Sequence, residues 1–158
     1  MAKDISSLNL SIHRAKRNDA DTITSFNLKG AKESTGKDLD PDQVRAGIAQ
    51  VLRGHPDFYL IATVDGHPVA HLKVHHHWYD WYDSLFWWIE HVYVEPDFRR
   101  LGISQRLVEH VKELARASED VKVLLLHVSE ANSKAIASYE KFGFKRSSLF
   151  PMSFDIRV

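Results

Sequence analysis

The chain contains no cysteine, carries no net charge and has no long apolar run, with 21 Lys and Arg set against 21 Asp and Glu. The missing thiols exclude a cysteine nucleophile, a thiolate zinc centre and a disulfide scaffold. Charge balance argues against a protein that coats nucleic acid with a basic face. No apolar stretch exceeds five residues, the length of Leu85 to Ile89, far short of the roughly 20 residues a membrane helix needs. The first twenty residues carry charges throughout and lack an apolar signal core. Only 7 Gly and 5 Pro are present, nowhere dense enough for a linker, and no repeat recurs at a fixed period. The 158 residues suit a single domain spanning 1–158. A chain of that length should bury about 70% of the surface its unfolded form exposes, without staples. The expectation is a cytoplasmic enzyme or binding domain with neither a membrane nor a nucleic-acid partner.

What is present is patterned. Leu8 to Ala15 reads as a first strand, and Asp19 or Asp21 could cap a helix running to about Lys29. Asp40-Pro41 is a helix start, after which Val44, Ile48, Val51 and Leu52 recur at helical spacing until Gly54. Phe58 to Val64 and Val69 to Trp78 flank an Asp65-Gly66 hairpin turn. Leu85 to Val94 is an aromatic, β-branched strand. Ile103, Leu107, Val108, Val111 and Leu114 trace one face of a helix from Gly102 to about Ser118. Val121 to Val128 suits a strand buried on both faces. A capped helix follows from Asn132 to Phe142, and Phe144 to Val158 should supply one or two closing strands. The order predicts an α/β (α+β) sandwich: a central, mostly antiparallel twisted sheet of six to seven strands flanked by about four helices.

The chemically informative stretch is Tyr93 to Gln105, where a strand ends, a loop carries Arg99, Arg100 and Gly102, and a long helix begins. The first N–H groups of a helix lack intrahelical partners and sit at the positive end of its dipole, so such a junction can hold phosphate. An ordinary strand-to-helix turn with two solvated Arg is the alternative. Arg99-Arg100-Leu101-Gly102-Ile103-Ser104 resembles the pyrophosphate signature of the GNAT superfamily of N-acetyltransferases, Gln/Arg-x-x-Gly-x-Gly/Ala, with Ser104 where Gly or Ala is preferred. Leu124-Leu125-Leu126-His127-Val128, followed by Asn132, Ala135 and Tyr139 to Phe144, is similar to the family's second block. Glu90 to Val94 is similar to its cofactor strand. Together these blocks span residues from about 85 to 147.

The resemblance implies a GNAT-type fold and acetyl-CoA as acyl donor. It further implies that the backbone of Val92, Tyr93 and Val94 pairs with the pantetheine arm. Arg99, Arg100, Leu101, Gly102, Ile103, Ser104 and Gln105 would form the pyrophosphate loop. Asn132 becomes a cofactor contact near the start of its helix, and Tyr139 the acid that protonates the departing thiolate. Asn132 and Tyr139 stand two helical turns apart, hence on one face; a plain helix cap and a core aromatic are their structural readings.

Amine acetylation needs a neutral amine and a stabilised oxyanion. Strand alternation puts Phe86, Trp88, Glu90, Val92 and Val94 on one face, and Leu85, Trp87, Ile89, His91 and Tyr93 on the other. Glu90 is then the only ionisable group on its face and the candidate general base; a salt-bridged surface Glu is the alternative, and His91 the rival base. From Val74 to Phe98 there are five acids, all four Trp and no Lys or Arg. Trp81, Asp83, Trp88 and Glu90 are therefore expected to line the mouth for a cationic small-molecule amine. The same exposed Trp and Tyr also suit a homodimer interface. The His75-His76-His77 run has no fourth ligand at metal-site spacing, so no metal is expected. A protein amine as acceptor, or a domain that binds CoA without catalysis, are the competing functions.

Overall fold

Among the described residues two helices begin at a side-chain cap. Asp40 Oδ1 accepts from the N–H groups of Asp42 and Gln43 at 2.9 and 3.3 Å, so helix α2 (Pro41–Leu52) starts at the expected Asp-Pro pair. Helix α1 (Ala20–Thr35) runs longer than its sequence pattern, until Gly36 takes a left-handed conformation with φ 71°. Helix α3 (Ile103–Ala117) buries Ile103, Leu107, Val108 and Val111 as its periodicity predicted, but its last buried position is Ala115, with Leu114 only half-buried. Helix α4 (Ser133–Lys141) is capped by Asn132, whose Oδ1 accepts from Ala135 N–H at 3.1 Å.

The computed structural model describes residues 8–148 and 152–156, which divide into two compact units, Met1–His127 and Val128–Val158. In the first, strands β1 (Leu10–Arg14), β2 (Phe58–Val64), β3 (His67–Tyr79), β4 (Ser84–Val94) and β5 (Val121–Leu126) form one sheet in sequence order. Three ladders are antiparallel, and β4–β5 is parallel, with α3 as its crossover. The sheet is therefore mixed, with five strands among the described residues rather than six or seven. The expected closing strands fall partly on 149–151 and 157–158, outside the described residues. Within 152–156, Met152, Phe154 and Ile156 alternate as a strand would, yet all are exposed and pair with no neighbour among the described residues. Alternation alone does not make a strand, because the ladder needs a partner. The expectation that β5 is buried on both faces also fails: its residues are half-buried or exposed, since it is the last strand of the described sheet.

The core lies on both faces of β2 and β3. Tyr59 and Ile61 cluster with Ile23 of α1 and Ile48 of α2. The intervening Leu60 and Ala62 of β2, with Leu72 and Val74 of β3, are buried on the opposite face, where α3 reaches β2, β3, β4 and β5. Ile61, fully buried, should be a sensitive position. Ile61→Ala is expected to lower the unfolding free energy by about 2–5 kcal/mol in urea titrations, whereas an unchanged midpoint would mean the cluster is loosely packed.

Candidate functional site

The end of β4 departs from simple alternation. Lys73 stands opposite Glu90 and His71 opposite Tyr93, so two residues, His91 and Val92, face the single Leu72. This is a β-bulge, and His91 adopts φ 51°, a left-handed conformation that non-glycine residues rarely take. The extra residue reverses the parity of the strand beyond it. Alternation sets Tyr93 on the face opposite Glu90; instead its ring lies 5.3 Å from Phe26 of α1, on the face that carries His71, Lys73 and Glu90. No sequence periodicity signals a bulge, because the inserted residue is apparent only from the register with the neighbouring strand.

That register also places a cation beside the expected base. Lys73 Nζ lies 3.0 Å from Glu90 Oε2 and 3.4 Å from Asp57 Oδ2. The Lys-free acidic segment beginning at Val74 thus receives its counter-ion from one residue earlier on the partner strand. Asp57, only 4% exposed, also accepts from His76 N–H at 2.9 Å and meets His75 Nδ1 at 2.9 Å. Burial raises the Asp57 pKa, but the His76 and His75 hydrogen bonds and the charges of His75 and Lys73 outweigh it and hold the carboxyl below its usual range. For Lys73, burial works against the charge, while its two carboxylates raise the pKa above the ordinary value. The His75–His77 run has a structural account: His75 and His76 both anchor Asp57, and the His77 ring packs on Tyr79.

Between α1, α2 and this face of the sheet lies a cavity of about 580 Å³. Tyr59, Lys73, His91, Val92 and Tyr93 form its sheet-side wall, and Phe26 of α1 faces them. His91 reaches the opening, yet the surrounding protein desolvates its imidazole and lowers its pKa, with the Glu90 charge acting in the other direction. Beneath the wall, His71 is stacked on Tyr59 and set edge-on to Phe26, and neither ring nitrogen has a partner among the described residues. Desolvation drives its pKa from 6.5 down to about 3. Trp81 and Asp83 lie at the β3–β4 tip, where Trp81 is 80% exposed, and Trp88 stacks on His127 at 4.4 Å. None of the three lines the cavity, and neither does Glu90.

The loop after β4 has its own geometry. β5 pairs with β4 only from Leu85 to Ile89, so from Glu90 onward that edge of β4 has no strand neighbour among the described residues. Arg100 and Gly102 take φ 62° and 82°, and no side chain caps α3. Left-handed turns of this kind gather successive N–H groups into a concavity that favours anions. The Arg99 side chain is otherwise engaged. Its Nε donates to Val94 O at 2.8 Å, its guanidinium holds both oxygens of Glu33 at 2.9 and 2.7 Å, and it lies over Tyr93. Tyr93 Oη in turn donates to Glu95 at 3.2 Å; burial and the Glu95 charge push the phenol up to about 12. These links tie α1 to the loop, so Arg99 acts here through its side chain as a brace. In the second unit, Tyr139 is half-buried against Phe142 and Phe144, and burial raises its phenol pKa.

A family model described as acetyltransferase (GNAT) matches residues 24–144. The [ribosomal protein bS18]-alanine N-acetyltransferase of Salmonella typhimurium is 40% identical over 57 residues, 35% of this chain and 37% of that protein. N-alpha-acetyltransferase 20 of Dictyostelium discoideum is 28% identical over 97 residues, 61% of this chain and 48% of its own length. The chain therefore spans less than half the length of these curated relatives. The crystal structure of a possible acetyltransferase from Clostridium difficile 630 superposes with a TM-score of 0.88 at 31% identity, covering 94% of this chain and 99% of that one.

The buried His71 yields a pH prediction. Its folded pKa lies below its unfolded value, so between about 6.5 and 3 the unfolded state binds the extra proton and stability falls as pH falls. In His71→Leu, the loss of unfolding free energy on acidification should be shallower by about 1.4 kcal/mol per pH unit across that window. Parallel slopes in pH-resolved urea titrations would show that His71 is protonated in the folded state.

Proposed function

The chain belongs to the acetyltransferase (GNAT) family, and from that premise we propose that it transfers the acetyl group of acetyl-CoA directly to a primary amine, most simply that of a small molecule. The observation that carries the reading is the open edge of β4 beside an uncapped helix: an extended amide arm needs strand-like pairing and its phosphates need free N–H groups, and both lie side by side between Glu90 and Gln105. Bound acetyl-CoA supplies the activated acetyl group.

The protein's own residues take separate roles. The N–H groups from Arg100 through Gln105 hold the pyrophosphate, with Arg100 and Gly102 turned left-handed to present them. Val92, Tyr93 and Val94 offer the backbone edge, although Val94 O already accepts one bond from Arg99. The bulge leaves a backbone N–H near Val92 without a ladder partner, a donor for the charge that develops on the acetyl oxygen. Glu90 takes the proton of the incoming ammonium, directly or through water; its partner Lys73, 3.0 Å away, fixes the position of the carboxylate. Asn132 caps α4 and orients its first turn, and Tyr139, neutral at physiological pH because burial raises its pKa, is the proton donor to the thiolate. With no cysteine anywhere in the chain, the acyl group has no enzyme thiol to visit.

Release of free thiol from acetyl-CoA, measured across an amine panel, tests the reaction. Tyr139→Phe should lower kcat at least tenfold while KM for acetyl-CoA changes less than threefold; unchanged turnover would remove Tyr139 from the reaction. Gly102→Val, which forces a β-branched residue into φ 82°, should instead raise KM for acetyl-CoA at least tenfold. Equal KM values for that variant and the parent would place the phosphates elsewhere.

A further inference from the structure

The cavity between α1 and α2 is charged at one end only. Its α1–α2 walls are largely apolar: Phe26, Leu39, Val44, Ile48 and Val51 line them, and Tyr93 continues the surface onto the sheet. Among the described residues no Asp or Glu lines it, and its one cation, Lys73, is held by Glu90 and Asp57. Acids nearby are already committed: Glu33 to Arg99, Glu95 to Lys29 and Asp38 to Lys32. An ammonium group drawn into the α1–α2 end would lose its hydration and find no counter-ion, which disfavours it there. At the bulge end Glu90, paired with Lys73 and outside the lining itself, shares the sheet face of Lys73 and precedes His91, both of which line the cavity.

Gly47 adds a second, independent observation. It lines the cavity from the middle of α2, and a Cβ built on it meets no atom within 4 Å. A mid-helix glycine destabilises its helix relative to alanine, and here the space it leaves belongs to the cavity. The volume of about 580 Å³ lies within the range of small-molecule sites, which are mostly apolar with a few polar groups that fix orientation.

We infer that the acceptor is a monoamine carried on an apolar, aromatic body, an arylalkylamine in chemical class, with the ring between α1 and α2 and the amine at the His91–Tyr93 end beside Glu90. This deepens the acetyl-transfer reading above and rests on it. It moves the acceptor away from the acidic, Trp-rich β3–β4 segment, because Trp81, Asp83 and Trp88 lie outside the cavity.

The test compares 2-phenylethylamine and tryptamine with 1,4-diaminobutane, spermidine and a short peptide with a free N-terminus, reading thiol release. The arylalkylamines should show kcat/KM at least tenfold above the others, and Gly47→Leu should raise their KM at least tenfold while KM for acetyl-CoA stays within twofold. Preference for a polyamine or for the peptide would overturn the inference and leave acetyl transfer standing. Should no amine release thiol, the transfer reading falls. Saturable binding of 2-phenylethylamine to the CoA-loaded protein, measured by calorimetry and weakened by Gly47→Leu, would then still support the cavity's ligand class, and its absence would overturn that as well.

Discussion

Beyond Ile89, β4 has a strand neighbour on one side only among the described residues, and two residues later it bulges against β3. The rest of the site depends on this divergence. A strand that lost its partner in the middle of a sheet would leave N–H and C=O groups without ladder bonds, so an edge opened there invites an extended ligand. The bulge adds an unpaired residue at the same level and turns Tyr93 onto the α1 face, where Phe26 receives it. One irregularity in one strand thus shapes both the proposed cofactor edge and the wall of the cavity.

The helices hold that irregular end in place through charge pairing. Glu33 and Lys29 on α1 meet Arg99 and Glu95 on either side of the turn that leads into α3. Exposed pairs contribute little singly, about 0–1 kcal/mol, but this set closes through Tyr93, whose hydroxyl donates to Glu95 and whose ring lies under Arg99. On the sheet, Asp57, Lys73 and Glu90 form a second chain, running from the buried start of β2 to the bulge end of β4. The histidine run that looks at first like a metal motif belongs to this chain, since His75 and His76 satisfy an otherwise costly buried carboxylate.

The elements with strong local causes were readable from the sequence. Asp40-Pro41 capped α2, the apolar stripe from Ile103 to Val111 made α3, and Asp65-Gly66 turned the β2–β3 hairpin. The loop from Arg99 to Gln105 was likewise visible, because its Gly and its place before an amphipathic helix are adjacent in the chain. Lys73 and Asp57 were missed for the opposite reason. Lys73 reaches Glu90 only across a ladder, and Asp57 reaches Lys73 only because a register shift near Ala62 sets Tyr59 opposite Lys73. Gly47 and the α1–α2 walls carry no chemical signature until two helices are packed over the sheet.

By itself the sequence determined where most helices and strands lie, that the chain carries no thiol of its own, and the family its loop resembles, since caps, periodicity and contiguous motifs act over a few residues. Only the tertiary structure decided which face Tyr93 takes, what neutralises Glu90, and that the space beside it is apolar rather than acidic. Those outcomes depend on register, and a shift of one residue between neighbouring strands exchanges the faces of every side chain beyond it.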